Sequence, residues 1–191
     1  MSRTPRLRLE SALPEHAGEM LACIQQDTVA NFVMFQKTVT LDDQRAFLER
    51  MQGSVHQLFV ARNVAQERMI GTVGLHEVDS IHETARLGVL IFRKDDRGVG
   101  YGTEMILRAL SWAFLVRRLN RVYLQVKQTN TRGQALYRSL GFVQEGVLRD
   151  AYKDKSGFND LVVMSLLASE WNQMIAREEI PLAILEHRHS T

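Results

Sequence analysis

The sequence predicts an α+β domain built on a largely central sheet. The order of elements carries this reading: hairpin-forming strands come first, then strand, helix, strand, helix and strand in alternation. The length of 191 residues is enough for one sizeable core. No internal repeat, low-complexity segment or linker divides it. Residues 1–191 therefore read as a single domain, with a core from about 7 to 171 and a tail from 179 to 191.

Each element has a local reason. Leu7 to Glu10 reads as a short strand. Pro14 to Gln26 has helical spacing through Ala17, Met20, Leu21 and Ile24, with Pro14 suited to a helix start. Thr40-Leu41-Asp42-Asp43 resembles a capping box and precedes a second amphipathic helix through Phe47, Leu48 and Met51. Gln57 to Arg62 and Met69 to Val78 read as strands joined by a polar turn, and Ala85 to Phe92 as a third. Thr103 to Leu119 carries a wide apolar stripe. Arg121 to Lys127 alternates as a strand. Gln134 to Leu140 reads as a short helix stopped by Gly141. Phe142 to Val147 and Asp160 to Leu166 read as two closing strands, and Ala168 to Glu178 as a last helix.

Bulk properties narrow the function. A net charge of +2 does not suggest a nucleic-acid binder. Cys23 is the only cysteine, which excludes an internal disulfide and a cysteine metal cluster. Met1 to Glu10 lacks the apolar core of a signal peptide, and no stretch is long enough to span a bilayer. The expectation is a soluble cytoplasmic protein without nucleic-acid or membrane partners. No metal is expected either: His187 and His189 lie in the tail without a ligand set at suitable spacing.

Arg97-Gly98-Val99-Gly100-Tyr101-Gly102-Thr103 lies between a strand and a helix. Alternate glycines let a backbone turn tightly and bring bare amides to a ligand, and the helix behind offers its free N–H groups. A Walker loop would need a lysine before Thr103. A dinucleotide fingerprint would need different glycine spacing and an acid about 20 residues on. The stretch between Glu104 and Glu145 contains no acid but holds Arg108, Arg117, Arg118, Arg121, Lys127, Arg132 and Arg138. That suits a ligand with several phosphates, although a solvated basic face has the same composition. On its own, the turn is equally compatible with a plain strand-to-helix connection.

A second motif, Asn130-Thr131-Arg132-Gly133-Gln134-Ala135-Leu136-Tyr137-Arg138-Ser139-Leu140-Gly141-Phe142, follows the next strand. Together with the Arg97–Gly100–Gly102 turn, it resembles the GNAT acetyltransferase superfamily. The stretch from Gly141 to Arg149 and the turn and strand from Gly157 to Met164 are similar to the ribosomal-protein N-terminal (Rim-type) and spermidine acetyltransferases. The resemblance implies a mixed, mostly antiparallel sheet with a splayed central strand pair, and acetyl-CoA as cosubstrate. It implies that Arg97, Gly98, Val99, Gly100, Tyr101, Gly102 and Thr103 hold the pyrophosphate. Leu90, Ile91 and Phe92 would align the thioester with backbone groups, and Asn130 would fix the cofactor arm. Tyr137 would protonate the departing thiolate, although a Tyr on a short amphipathic helix is ordinarily a packing residue.

The resemblance points to no clear base. Glu77 and His76 are candidates by placement, with Glu77 taken as the base; Asp79, His82 and Glu83 follow in the turn. The acceptor is expected to be a primary amine, with a protein N-terminus ranked first. The resemblance to spermidine acetyltransferases implies acids in the segment after the first helix, but residues 31–40 contain none, a departure that argues against a polyamine; Phe32, Met34 and Phe35 would line the pocket or belong to the core. A polyamine, an antibiotic or metabolite amine, and a non-catalytic CoA-binding module are the alternatives. Similar proteins often pair, so a homodimer is an expectation.

Overall fold

The computed structural model describes residues 6–24, 39–52, 54–154, 157–181 and 184. Strand β1 (Leu7–Ser11) leads through a 3-10 turn (Pro14–His16) into α1 (Ala17–Ile24). Helix α2 (Leu41–Gln52) follows, then strands β2 (Gln57–Asn63), β3 (Met69–Asp79) and β4 (Thr84–Ile91). A 3-10 turn (Lys94–Asp96) and the glycine turn lead into α3 (Tyr101–Ser111). Strand β5 (Arg121–Lys127), helix α4 (Thr131–Ser139), the hairpin β6 (Val143–Asp154) and β7 (Gly157–Leu167), and α5 (Ala168–Ala176) complete the order.

The strands form one sheet in the order β1-β2-β3-β4-β5-β7-β6. Every neighbouring pair is antiparallel except β4 and β5, which are parallel. Both faces of the sheet are covered. On one, Val73, Leu75, Ala85 and Leu87 pack with Met105, Ile106 and Leu110 of α3. On the other, Leu58, Val60, Met69 and Phe92 pack with Ala17 and Met20 of α1 and Leu48 of α2. Residues 58–61 are all apolar because alternate side chains enter different cores. The capping box at Thr40 forms: its Oγ1 accepts from Asp43 N–H at 3.1 Å, and its own N–H donates to Asp43 Oδ2 at 3.0 Å.

Three elements differ from the sequence reading. The long third helix gives way after Ser111 to a π-helical turn, Trp112–Val116, in which Arg117 N–H donates to Trp112 O at 3.0 Å. This wider turn sets Trp112 edge-on to Phe59 and Phe114 against Trp171, with ring centroids 5.6 and 5.7 Å apart. Helix α4 starts at Thr131 because the Asn130 side chain caps it. The β6–β7 hairpin is longer than expected. β6 is an edge strand, largely exposed and interrupted by two register shifts, so it carries no apolar alternation to read.

Candidate active site

The glycine turn is built for bare backbone. Gly98 and Gly100 have φ of +81° and +96°, a region where side chains are strained. A Cβ on Gly98 would collide with the Arg132 guanidinium, and one on Gly100 would stand 2.9 Å from that of Arg6. Gly100 is the N-cap of α3, and no side chain caps the helix. The first helical bond runs from Glu104 N–H to Gly100 O at 3.2 Å, so the amides before it have no intrahelical acceptor. Such an end favours an anion.

The turn is anchored on several sides. Arg6 donates to Val99 O at 3.0 Å and lies over the Tyr101 ring at 4.7 Å, while Asn63 Nδ2 donates to the Tyr101 hydroxyl at 2.8 Å. Just before the turn, buried Asp96 accepts two bonds from Arg68, at 2.6 and 2.8 Å. Arg97 does not point outward: its Nη2 donates to Ile91 O at 3.2 Å, and burial holds its pKa below the ordinary value.

Beside the turn, β4 and β5 part. They pair only from Thr84↔Arg121 to Arg86↔Tyr123, yet each continues, to Ile91 and Lys127. Phe92 N–H donates to Ile70 O at 3.0 Å. Alternation along the β3–β4 ladder then turns the peptide groups of Gly88 and Leu90 toward β3 and those of Leu87, Val89 and Ile91 toward the gap. Of the expected trio, Ile91 alone faces the gap with its backbone. Leu90 and Phe92 do not, and Val89 and Leu87 were missed. The signal was available in principle, because an amide two residues from Ile91 must point the same way.

The second motif closes the mouth of the gap. Asn130 Oδ1 accepts from Gly133 N–H at 2.9 Å and caps the start of α4. A Cβ on Gly102 would touch Ile91 Cδ1 at 3.3 Å and Leu136 Cδ2 at 3.7 Å, which brings β4, α3 and α4 together. Next on α4, the half-buried Tyr137 stacks edge-on to Phe142 at 5.8 Å. Burial raises its phenol to about 12, so it stays protonated at neutral pH. Among the described residues, no protein group bonds its hydroxyl.

The closed end of the gap is made of side chains. Glu77 sits in a bulge of β3 with φ +50°. Its carboxylate accepts from Arg86 Nε at 2.8 Å and from the Tyr123 hydroxyl at 2.6 Å, and these bonds hold its pKa below the usual carboxylate range. His76 lies over Gly88: a Cβ there would stand 3.0 Å from its Nε2 and 3.1 Å from its Cδ2. Burial, then Arg86 and His56, lower the imidazole's pKa, against a smaller opposing effect of Glu77. Asp79 builds the next turn by accepting from Ile81 and His82 N–H at 2.8 Å.

The basic block does not gather into one surface. Arg108 lies 3.6 Å from Glu104, Arg121 pairs with Glu145, and Lys127 lies 2.6 Å from Asp154. These partners come from outside the acid-free stretch. Arg117 covers Trp112 at 5.3 Å, and the Arg132 guanidinium stands against Gly98 of the glycine turn. Cys23 is buried in α1, and burial raises its thiol's pKa. Phe32, Met34, Phe35, His187 and His189 lie outside the described residues. Among the described residues, no three His, Cys, Asp or Glu side chains group as a metal site, and no helix is long and apolar enough to cross a membrane.

The chain is similar to known acetyltransferases. The family described as Acetyltransferase (GNAT) domain matches residues 6–143. A spermidine N(1)-acetyltransferase of Vibrio cholerae is 29% identical over 128 residues, 67% of this chain and 73% of that protein. The "Putative ribosomal N-acetyltransferase YdaF" of Bacillus subtilis is 32% identical over 103 residues, 54% of this chain and 56% of that protein. The crystal structure of a Vibrio cholerae spermidine N-acetyltransferase with CoA and spermine superposes with a TM-score of 0.81 at 23% identity, over 87% of this chain and 98% of that one. A dodecameric structure of a spermidine N-acetyltransferase from the same species gives 0.76 at 24%, over 87% and 96%. These structural likenesses are likenesses of fold.

Proposed function

The chain belongs to the GNAT acetyltransferase family, and from that premise we propose that it moves the acetyl group of acetyl-CoA onto a primary amine by direct attack in a ternary complex. One observation carries this reading: an uncapped helix N-terminus and its glycine turn open beside the unpaired edge of β4. The amides from Gly98 to Thr103 hold the pyrophosphate, with Arg132 alongside. Arg97 acts as a strut that keeps Ile91 and the turn in register. The gap-facing peptide groups of Val89 and Ile91 take the pantetheine arm and polarise the thioester carbonyl. Asn130 holds the start of α4 beside that arm. Leu90 and Phe92 give the strand its place in the second core.

The amine lone pair forms the N–C bond, and the C–S bond breaks with its electron pair on sulfur. The Tyr137 phenol gives its proton to that sulfur and recovers one from the acylated nitrogen. Cys23 is buried in α1, so an acyl-cysteine detour has no nucleophile.

The acceptor we favour is a protein N-terminus. The carboxylates beside the closed end, Glu77 and Glu145, are each held by an arginine, which leaves them poor partners for a polycation. A polyamine is the second reading, favoured by the spermidine acetyltransferase among the relatives. Self-association belongs to the same proposal. Edge strand β6 exposes Val143, Val147 and Leu148, and light scattering would give the mass. The test of function is thiol release from acetyl-CoA with a free-N-terminus peptide and with spermidine. The peptide should turn over faster; a reversed order selects the polyamine, and CoA binding without any release selects a CoA-binding module.

A further inference from the structure

We propose that His76 is the base that takes the proton from the acceptor ammonium; the proposal rests on the acetyl-transfer reading above. His76 and Gly88 lie diagonally across the β3–β4 ladder, on the sheet face that also carries Leu90. The imidazole covers the bare Cα of Gly88, with Nε2 the nearer nitrogen. The next residue, Val89, directs its peptide groups into the gap, so His76 stands within one residue of the backbone that would hold the thioester. A Cβ at position 88 would press on the ring at 3.0 Å, so the imidazole would have to give by a few tenths of an ångström.

The neighbouring groups leave this task to the imidazole. Glu77, on the same strand, is engaged by Arg86 and Tyr123. Arg86 faces His76 from β4. His56 faces it from the segment before β2, where its Nδ1 accepts from Val78 N–H at 3.3 Å. Two cationic or potentially cationic neighbours and burial keep the ring neutral, with a lone pair to offer. The ammonium gives one proton to His76, which passes it to solvent; the resulting amine attacks, and the second nitrogen proton replaces the one Tyr137 gives to sulfur. The overall release of one proton then balances.

The test is the pH dependence of kcat for the full chain with its best acceptor. The wild type should reach a plateau above an imidazole pKa that lies below about 6.5. His76→Gln should lose about tenfold in kcat at pH 7 with a peptide α-amine, whose own pKa is near 8, and more with an acceptor of higher pKa, with the acetyl-CoA KM unchanged. Its rate should instead climb about tenfold per pH unit toward the amine's own pKa, because only free amine attacks. Free imidazole should restore His76→Ala, a rescue that a purely structural loss would not show. Gly88→Ala, which keeps His76 but presses on the ring, should also lower kcat, by less than His76→Gln, with circular dichroism verifying the fold of each variant. Unchanged rate and profile in His76→Gln, or a loss that neither imidazole nor high pH repairs, overturns the base. A wild type that releases no thiol with any amine overturns the acetyl-transfer reading, and the base with it.

Discussion

The two ends of the β4–β5 gap are built from different materials. The open end is backbone: glycines at positive φ, an uncapped helix and the unpaired edge of a strand. The closed end is side chains, with His76, Glu77, Arg86 and Tyr123 drawn from three strands. A cofactor common to a whole family can be held by groups every sequence possesses, so side-chain identity matters little there. An acceptor has to be distinguished, and that falls to side chains. The open end should therefore answer mutation through acetyl-CoA affinity, and the closed end through kcat and pH.

Tyr137 tests whether chemistry also enters at the open end. Tyr137→Phe keeps the ring on Phe142 and removes only the hydroxyl. We expect kcat to fall about 100-fold, roughly 2.7 kcal/mol of barrier, with CoA affinity unchanged by calorimetry. An unchanged kcat would remove the phenol from the acid role and leave it as packing.

Asp96 tests how far the turn depends on its anchor. Asp96 is buried and bidentate to Arg68, whereas Arg68 is partly exposed. Breaking a fully buried pair costs about 3–5 kcal/mol; with one partner reaching solvent, Asp96→Asn should cost about 2 kcal/mol, measured by urea unfolding. The acetyl-CoA KM should rise with it. A stable variant with intact affinity would mean that the turn holds its shape without this tie.

Gly98 tests the backbone argument directly. An alanine at φ +81° costs about 1–2 kcal/mol, and its Cβ displaces the Arg132 guanidinium. Gly98→Ala should weaken acetyl-CoA binding about tenfold and leave kcat at saturation alone. Equal losses in kcat would mean that the open end does more than hold the cofactor.

This division also explains what could be read from sequence. Strand β5 is legible by alternation, and β2 and β3 as apolar runs whose alternate side chains enter the two cores. The glycine turn was legible because positive φ selects glycine. Edge strand β6 was not, since little of it is buried. Asn130 Oδ1 caps α4, a role that its position directly before a helix signals in the sequence. The closed end was hardest. That Glu77 meets Tyr123, and that His76 meets Gly88, depends on the register of three strands, and no local pattern encodes it.

Glu77 gives the smallest expected effect and the sharpest contrast within the closed end. Its folded-state pKa is lowered, first by the Tyr123 hydroxyl and then by Arg86. The stability it contributes is therefore present above its unfolded pKa, near 4.3, and is lost as pH falls through the lower folded value. The side chain is 56% exposed, so solvent screening keeps that contribution to about 0.5 kcal/mol or less. Glu77→Gln should thus unfold almost as the wild type does at pH 7, and the small difference should vanish in acid. The same change removes a negative neighbour from His76 and so lowers the imidazole's pKa further. The acid limb of kcat should move to lower pH, and the plateau rate should change less than about threefold, since a weaker base transfers the proton somewhat less readily. If Glu77 itself took the proton, the loss would match that expected on removing the base, about tenfold or more at pH 7, and the limb would not follow the imidazole.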